Sequence, residues 1–272
     1  MNNIKTFGLM AIMTLLLMVL GGVIGGQYGA ILALGLAGVG NFISYFYSDK
    51  LVLKAYRAKE LAPDHKITMM VQRLASRADL PMPRVYMIDQ HQPNAFATGR
   101  NPQNAAVAVT RGLVNSMNDN ELAGVLAHEL GHIANRDILV GTIAATLAGA
   151  ITYLGYAGHF GLGGRDNRDT NPLFLLLALI LAPLAATLIR MAISRTREYK
   201  ADAYGAKVSG NPLYLSSALS KLENYSKQIP LEGNESTSHM FIVHPFKGGG
   251  MSRLFSTHPS TAERIKRLNA MR

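Results

Sequence analysis

The chain of 272 residues contains no cysteine. Disulfides are thereby excluded, and so is any thiolate site, so a transition metal would have to be held by histidine and carboxylate. Charge is also scarce: Asp, Glu, Lys and Arg make up only 16% of the residues, and long stretches hold none. Such gaps belong to membrane segments rather than to a soluble surface. Acidic residues are the scarcer kind, 17 against 27 Lys and Arg, which leaves a formal net charge of +10. A nucleic-acid binder would gather that excess along a groove among aromatics. Here Lys50, Lys54, Arg57 and Lys59 follow one apolar run, and Arg190, Arg195, Arg197 and Lys200 follow another. That placement speaks against nucleic acid and for the headgroups of a lipid bilayer. The run Gly248-Gly249-Gly250 lacks the Lys-Ser/Thr of a phosphate-binding loop and reads as a linker. Two N-x-S sequons, at Asn224 and Asn234, would matter only in a secretory lumen.

What is present in place of charge is apolar length. Residues 7–24 and 28–47 are two uncharged apolar runs joined by Gly25-Gly26-Gln27, a connection that allows only a tight hairpin. Each run is about long enough to cross the ~30 Å hydrocarbon layer as a helix. A cleaved signal peptide is the rival reading of the first run, but it is long for one and a second run follows at once. Residues 138–162 and 173–189 form a second pair, with Pro183 placed to kink the last helix. The rival for that pair is a buried hairpin, or one that dips only partly into lipid. With four spans, Lys5 and both basic clusters fall on one side, and the positive-inside rule places both termini and nearly all the polar mass in the cytoplasm.

Two polar portions remain. In the first, residues 67–78 have the apolar spacing of a helix that ends before Pro81. Residues 84–88, 94–98 and 105–110 read as strands, and Asp119 or Asn120 is placed to cap a helix running from about Glu121 to Ala134. The second portion reads as mainly helical. The fold class expected is therefore α+β, mainly α, with a small edge sheet and about four transmembrane helices.

On the helix near Glu121 lies His128-Glu129-Leu130-Gly131-His132, an H-E-x-x-H pattern. Histidines four apart share one helix face, so both imidazoles can reach one ion. Glu129 sits beside them, better placed to take a proton from a water than to ligate. A catalytic zinc needs a third protein ligand and an open position. Ser194-Arg195-Thr196-Arg197-Glu198-Tyr199-Lys200-Ala201-Asp202 offers one. Glu198 is a candidate ligand, and Asp202, one turn on, a candidate acceptor for the N–H of a ligating imidazole. Alone, E-x-x-x-D would be an ordinary solvated face.

H-E-L-G-H, an apolar hairpin and then S-R-x-R-E-Y-x-A-D together resemble the HtpX family of bacterial membrane metalloproteases, relatives of the CAAX prenyl endopeptidases and the mitochondrial Oma-type proteases. Pro93-Asn94-Ala95-Phe96-Ala97-Thr98-Gly99 resembles that family's edge segment, and residues 256–265 its C-terminal signature. The resemblance covers essentially the whole chain. It implies a gluzincin-type peptidase with one Zn2+ per chain on His128, His132 and Glu198, and with Glu129 as general base. It implies that Asn94, Ala95, Phe96 and Ala97 line a cleft where an extended peptide adds as a strand. It brings His258 and Arg264 near the site, either to bond the oxyanion or, for His258, to cap the metal. The plainer readings are a turn residue before Pro259 for His258, and a surface ion pair with Glu263 for Arg264.

The organisation that follows is a transmembrane hairpin (1–47), a catalytic first part (48–137), a second hydrophobic hairpin (138–193) and a catalytic second part (194–272). The function expected is zinc-dependent cleavage of membrane proteins, misfolded or damaged ones among them, in the stress response of the cell inner membrane. The rival is a metal-stabilised membrane adaptor without turnover, which would have no need of Glu129.

Overall fold

The computed structural model describes residues 2–139, 143, 195–228, 242 and 259–271. The first helix, α1 (Asn2–Ala55), is broken at Gly25 and Gly26, where Gly26 takes φ 60°. That left-handed backbone is open to glycine at little cost, and it folds the two arms together. A side chain at Gly21 or Gly29 would strike the other's carbonyl, and Asn41 donates to Thr14 Oγ1 across the arms at 2.9 Å. Among the described residues one segment, Gly25–Ala55, is long and apolar enough to cross a bilayer. Four spans were expected. The runs at 138–162 and 173–189 fall almost wholly outside the described residues.

Beyond α1 the chain builds a small mixed sheet from β1 (Lys59–Glu60), β2 (Arg84–Ile88), β3 (Ala95–Gly99) and β4 (Ala105–Thr110). Its order is β1-β2-β4-β3, with β2 and β4 parallel and β3 antiparallel to β4 at the edge. The parallel pair is joined through β3, and β4, central, is buried along its whole length, as a near-continuous apolar strand requires. Alternation divides the sheet's faces. Val85, Ala95, Val107 and Val109 enter the main core, while Tyr86, Ile88, Phe96, Ala106 and Ala108 pack on Val52, Leu53 and Tyr56 at the foot of α1. Each large side chain so buried is worth about 1.5–3 kcal/mol.

The helices α2 (Lys66–Arg77), α3 (Arg111–Ser116) and α4 (Asp119–Ala134) complete the first portion. From the second come α5 (Arg195–Ser209), α6 (Pro212–Gln228) and α7 (Thr261–Asn269). The cap of α4 is Asn118, one and two residues before the Asp119 and Asn120 expected from the sequence. Asn118 and Glu121 form a reciprocal capping box, which satisfies two backbone donors instead of one. Glu121 is buried and also accepts from Ser217 and Lys221 of α6, both at 2.7 Å. One apolar cluster runs from Ile67 through Leu126 and Leu130 to Leu215, Leu219 and Leu268. The two polar portions, far apart in sequence, thus share a single core with α4 at its centre.

Candidate active site

The site forms where α4 crosses α5. A crossing this close needs residues without bulk. A Cβ on Gly205 would come within 2.8 Å of His128 N, and one on Gly131 within 3.1 Å of the Ala201 backbone. Glycine at those two places lets the helices touch and brings Glu198 to the histidines. His128 Nε2 and His132 Nε2 are 3.2 Å apart. Glu198 straddles them, Oε2 at 3.7 Å from His128 Nε2 and Oε1 at 3.6 Å from His132 Nε2. All three donors lie within 4.8 Å of one another. Bonds of about 2.0–2.1 Å to a tetrahedral ion would set such atoms roughly 3.3–3.4 Å apart. The donor set and its spacing therefore fit a zinc-sized divalent cation.

Each imidazole has a carboxylate behind it. His128 Nδ1 lies 3.0 Å from Asp202 Oδ1, though off the line of an aligned N–H bond. His132 Nδ1 lies 3.3 Å from Asp137 Oδ2. Asp137 carries no signal in the motif. It follows the end of α4, where Arg136 takes a left-handed φ of 55° and turns the chain back on the helix. Burial would lower the His132 pKa, but Glu198, Asp137 and Glu129 outweigh it and raise it to about 9.

Glu129 is buried, and burial pushes its carboxyl above the ordinary value against the pull of His128 and His132. Its Oε2 accepts the backbone N–H of Ala97 at 2.8 Å. That bond ties the edge strand β3 to the helix that carries the histidines. No side chain on β3 announces it, so the sequence gives no warning.

The residues expected to line a cleft separate into different roles. Ala97 faces the site through its backbone. Asn94 is buried, with its Oδ1 accepting from Ile242 N at 3.3 Å. Ala95 enters the main core. Phe96 points to the opposite face of the sheet, 5.4 Å from the ring of Tyr56. His258 lies outside the described residues.

Arg264 is far from the surface ion pair considered above. It is 1% exposed, and its Nε and Nη2 grip both oxygens of Asp202 at 2.9 and 2.7 Å. Nη1 donates to Ile242 O at 2.9 Å and lies 3.6 Å from Glu198 Oε2. Burial alone would raise the Asp202 pKa. Arg264 and His128 overcome that and hold it down at about 2. Glu263 pairs instead with Arg267 on the surface.

Two histidines on one helix face, a glutamate from a second helix and a buried carboxylate beside them define the architecture of a metallopeptidase. Residues 61–272 match the model of peptidase family M48, and the chain belongs to that family. It is similar to the Protease HtpX homolog of Desulforapulum autotrophicum, 54% identical over 98% of this chain and 89% of that protein. Protease HtpX of Legionella pneumophila is 49% identical over 99% of both chains. The crystal structure of Ste24p from S. mikatae has a related fold, with a TM-score of 0.53 at 20% identity over 94% of this chain. This chain spans 62% of the Ste24p chain. The protein is a metalloprotease, a hydrolase of peptide bonds, and its family implies a metal.

Proposed function

We propose that the protein is a membrane-embedded endopeptidase holding one Zn2+ on His128, His132 and Glu198, with Glu129 as general base. The observation that carries this reading is the convergence of those three donors, within 4.8 Å, beside the buried carboxyl of Glu129. The bound ion supplies Lewis acidity, polarising a carbonyl and lowering the pKa of water towards neutrality. The rest falls to the chain. Ala97 N–H holds one oxygen of Glu129, leaving the other to take the proton of the attacking water and pass it to the departing amine. A carboxyl raised by burial is suited to both steps, being a stronger base for the first and still an acid for the second. Asp137 and Asp202 stand behind the far nitrogens of His132 and His128, at 3.3 and 3.0 Å, where a carboxylate favours the tautomer whose near nitrogen is free to ligate. Arg264 uses three of its N–H groups on Asp202 and Ile242, which makes it a positioning residue for Asp202, and its Nη2 also lies 3.4 Å from His128 Nε2.

A peptide lying along the outer edge of β3 would add as a further strand, with the scissile bond carried towards Glu129. The basic residues that follow the apolar runs support a site on the cytoplasmic side of the inner membrane. His132 is six residues before residue 138, and Glu198 nine after residue 189, so both stand close in sequence to the apolar runs. That closeness favours loops and ends of membrane proteins as substrates, in the quality control of misfolded or damaged ones.

The decisive test is metal analysis and self-cleavage of the purified protein beside its Glu129→Gln variant. Both should hold one zinc per chain, and the variant should cleave about 10²–10⁴-fold more slowly. Equal cleavage by the two would sink the mechanism. A wild type that holds zinc and cleaves nothing would favour the adaptor reading.

A further inference from the structure

At the foot of α1 an open cleft of about 600 Å3 lies between the helix and the outer face of the sheet. Its floor is apolar, from Leu53, Ala58 and Tyr86, and its rim is basic, from Lys50, Lys54, Arg57 and Arg84. The volume falls in the range of about 300–1,000 Å3 typical of small-molecule sites. A spacing of four residues puts Lys50 and Lys54 on one side of the helix end, and the turn after it brings Arg57 to the same cleft. The nearby carboxylates are already taken. Asp49 accepts from Arg84 at 3.0 Å, and Glu60 accepts from the Tyr86 hydroxyl at 3.0 Å. Lys50, Lys54 and Arg57 are exposed, with no carboxylate partner among the described residues.

The backbone beneath them is also unusual. Arg57 has φ 50°, where Ala58 N bonds Leu53 O and Arg57 N bonds Lys54 O to close the helix. Glycine is the usual residue at that left-handed position. Here it is an arginine, whose guanidinium lines the cleft.

The cleft's height is informative as well. Phe42, Phe46 and Tyr47 are exposed one to two turns before Lys50, and Lys50 Nζ lies 5.3 Å from the Tyr47 ring. Exposed aromatics followed by cations mark the passage from hydrocarbon to headgroups.

The geometry points to a binding site for the phosphate of an anionic phospholipid headgroup, held by Lys50, Lys54 and Arg57 with its glycerol against Leu53 and Tyr86. The general basic bias of a membrane protein would bind such lipids loosely anywhere along the rim. A built cleft binds one at a fixed place, so position is what distinguishes the two. This inference rests on the membrane placement of α1 and not on the peptidase chemistry.

The test uses the full chain in neutral detergent, with fluorescent phosphatidylglycerol as probe and phosphatidylcholine as its uncharged counterpart. Extraction that resists alkaline carbonate first checks the membrane placement by itself. The wild type should prefer phosphatidylglycerol, and Lys50→Gln/Lys54→Gln/Arg57→Gln should weaken its binding by about tenfold or more. A control that removes as much charge elsewhere, Arg73→Gln/Arg77→Gln/Lys207→Gln, should bind as the wild type does. Arg57→Gly guards against misfolding, since glycine accepts the left-handed turn freely. It should be at least as stable as the wild type to heating and still bind the probe more weakly. Equal loss in the control triple, or no preference for phosphatidylglycerol, would overturn the site. Displacement of the probe by excess inorganic phosphate would overturn the lipid and assign the cleft to a soluble phosphate.

Discussion

Arg264 shows how much a single buried side chain can carry. Its guanidinium meets Asp202 with two parallel bonds in a place that excludes water. Removing one partner of such a pair strands the other, at a cost of about 3–5 kcal/mol. Arg264→Met should therefore lower stability by that order in denaturant titrations, and Arg264→Met/Asp202→Asn should recover much of it. If the single variant unfolds like the wild type, the pair is not what holds α7 to α5. The sequence could not disclose this, because Arg264 sits in an amphipathic helix beside Glu263, and only tertiary packing decides which side is covered. His128, Glu129 and His132 were legible, since spacing on one helix suffices to join them. Asp137 and the Ala97 N–H were not: one depends on a left-handed turn at Arg136, the other on which edge of a strand meets a helix.

At the scale of elements, the site depends on how closely α4 and α5 approach. Gly205→Ala puts a methyl into the backbone of His128, and overpacking of that kind costs about 1–3 kcal/mol. The displacement falls on Glu198, one helical face along, so the loss in zinc affinity should exceed the loss in overall stability. Competition with a chelating dye would measure the first and thermal unfolding the second.

The other clamp on α4 is Glu121. Burial would raise its pKa, but Lys221, Ser217 and the Asn118 N–H outweigh that and hold it below the ordinary value. A depressed carboxylate stabilises the fold above its unfolded pKa and loses that contribution as pH falls through the folded one. Glu121→Gln should accordingly be less stable than the wild type by roughly 1–3 kcal/mol at neutral pH. The gap should close below about pH 4, as acid titrations of both proteins would reveal. The element pattern itself was largely readable: strands at 84–88 and 105–110 match β2 and β4. The cap moved to Asn118 because the Asn-x-x-Glu pairing outweighs mere proximity to the helix. Phe96 was placed in a cleft by the family resemblance alone, and the alternation of β3 turns its side chain to the face that α1 covers.

Across the whole molecule, two stretches that share no sequence neighbourhood make one core, and the foot of α1 closes over its sheet. Val52 and Leu53 reach the same face that Phe96 and Tyr86 present. Nothing in the order of residues requires the anchor to pack on the sheet that carries the site. It could as well have hung from a loose tether.

With α1 in the bilayer and the site as proposed, that contact turns the sheet into a fixed spacer between membrane and cutting edge. A protease on a tether samples many heights and selects its bond by sequence. One mounted on a spacer reaches a single height and selects by distance. Model substrates whose exposed linker is lengthened residue by residue should thus be cut at a constant distance from their own membrane segment, the cleaved bond shifting along the sequence as the linker grows. Mass spectrometry of the products reads this directly. A cleavage point that stayed with one sequence motif would show that the chain reads residues, not reach.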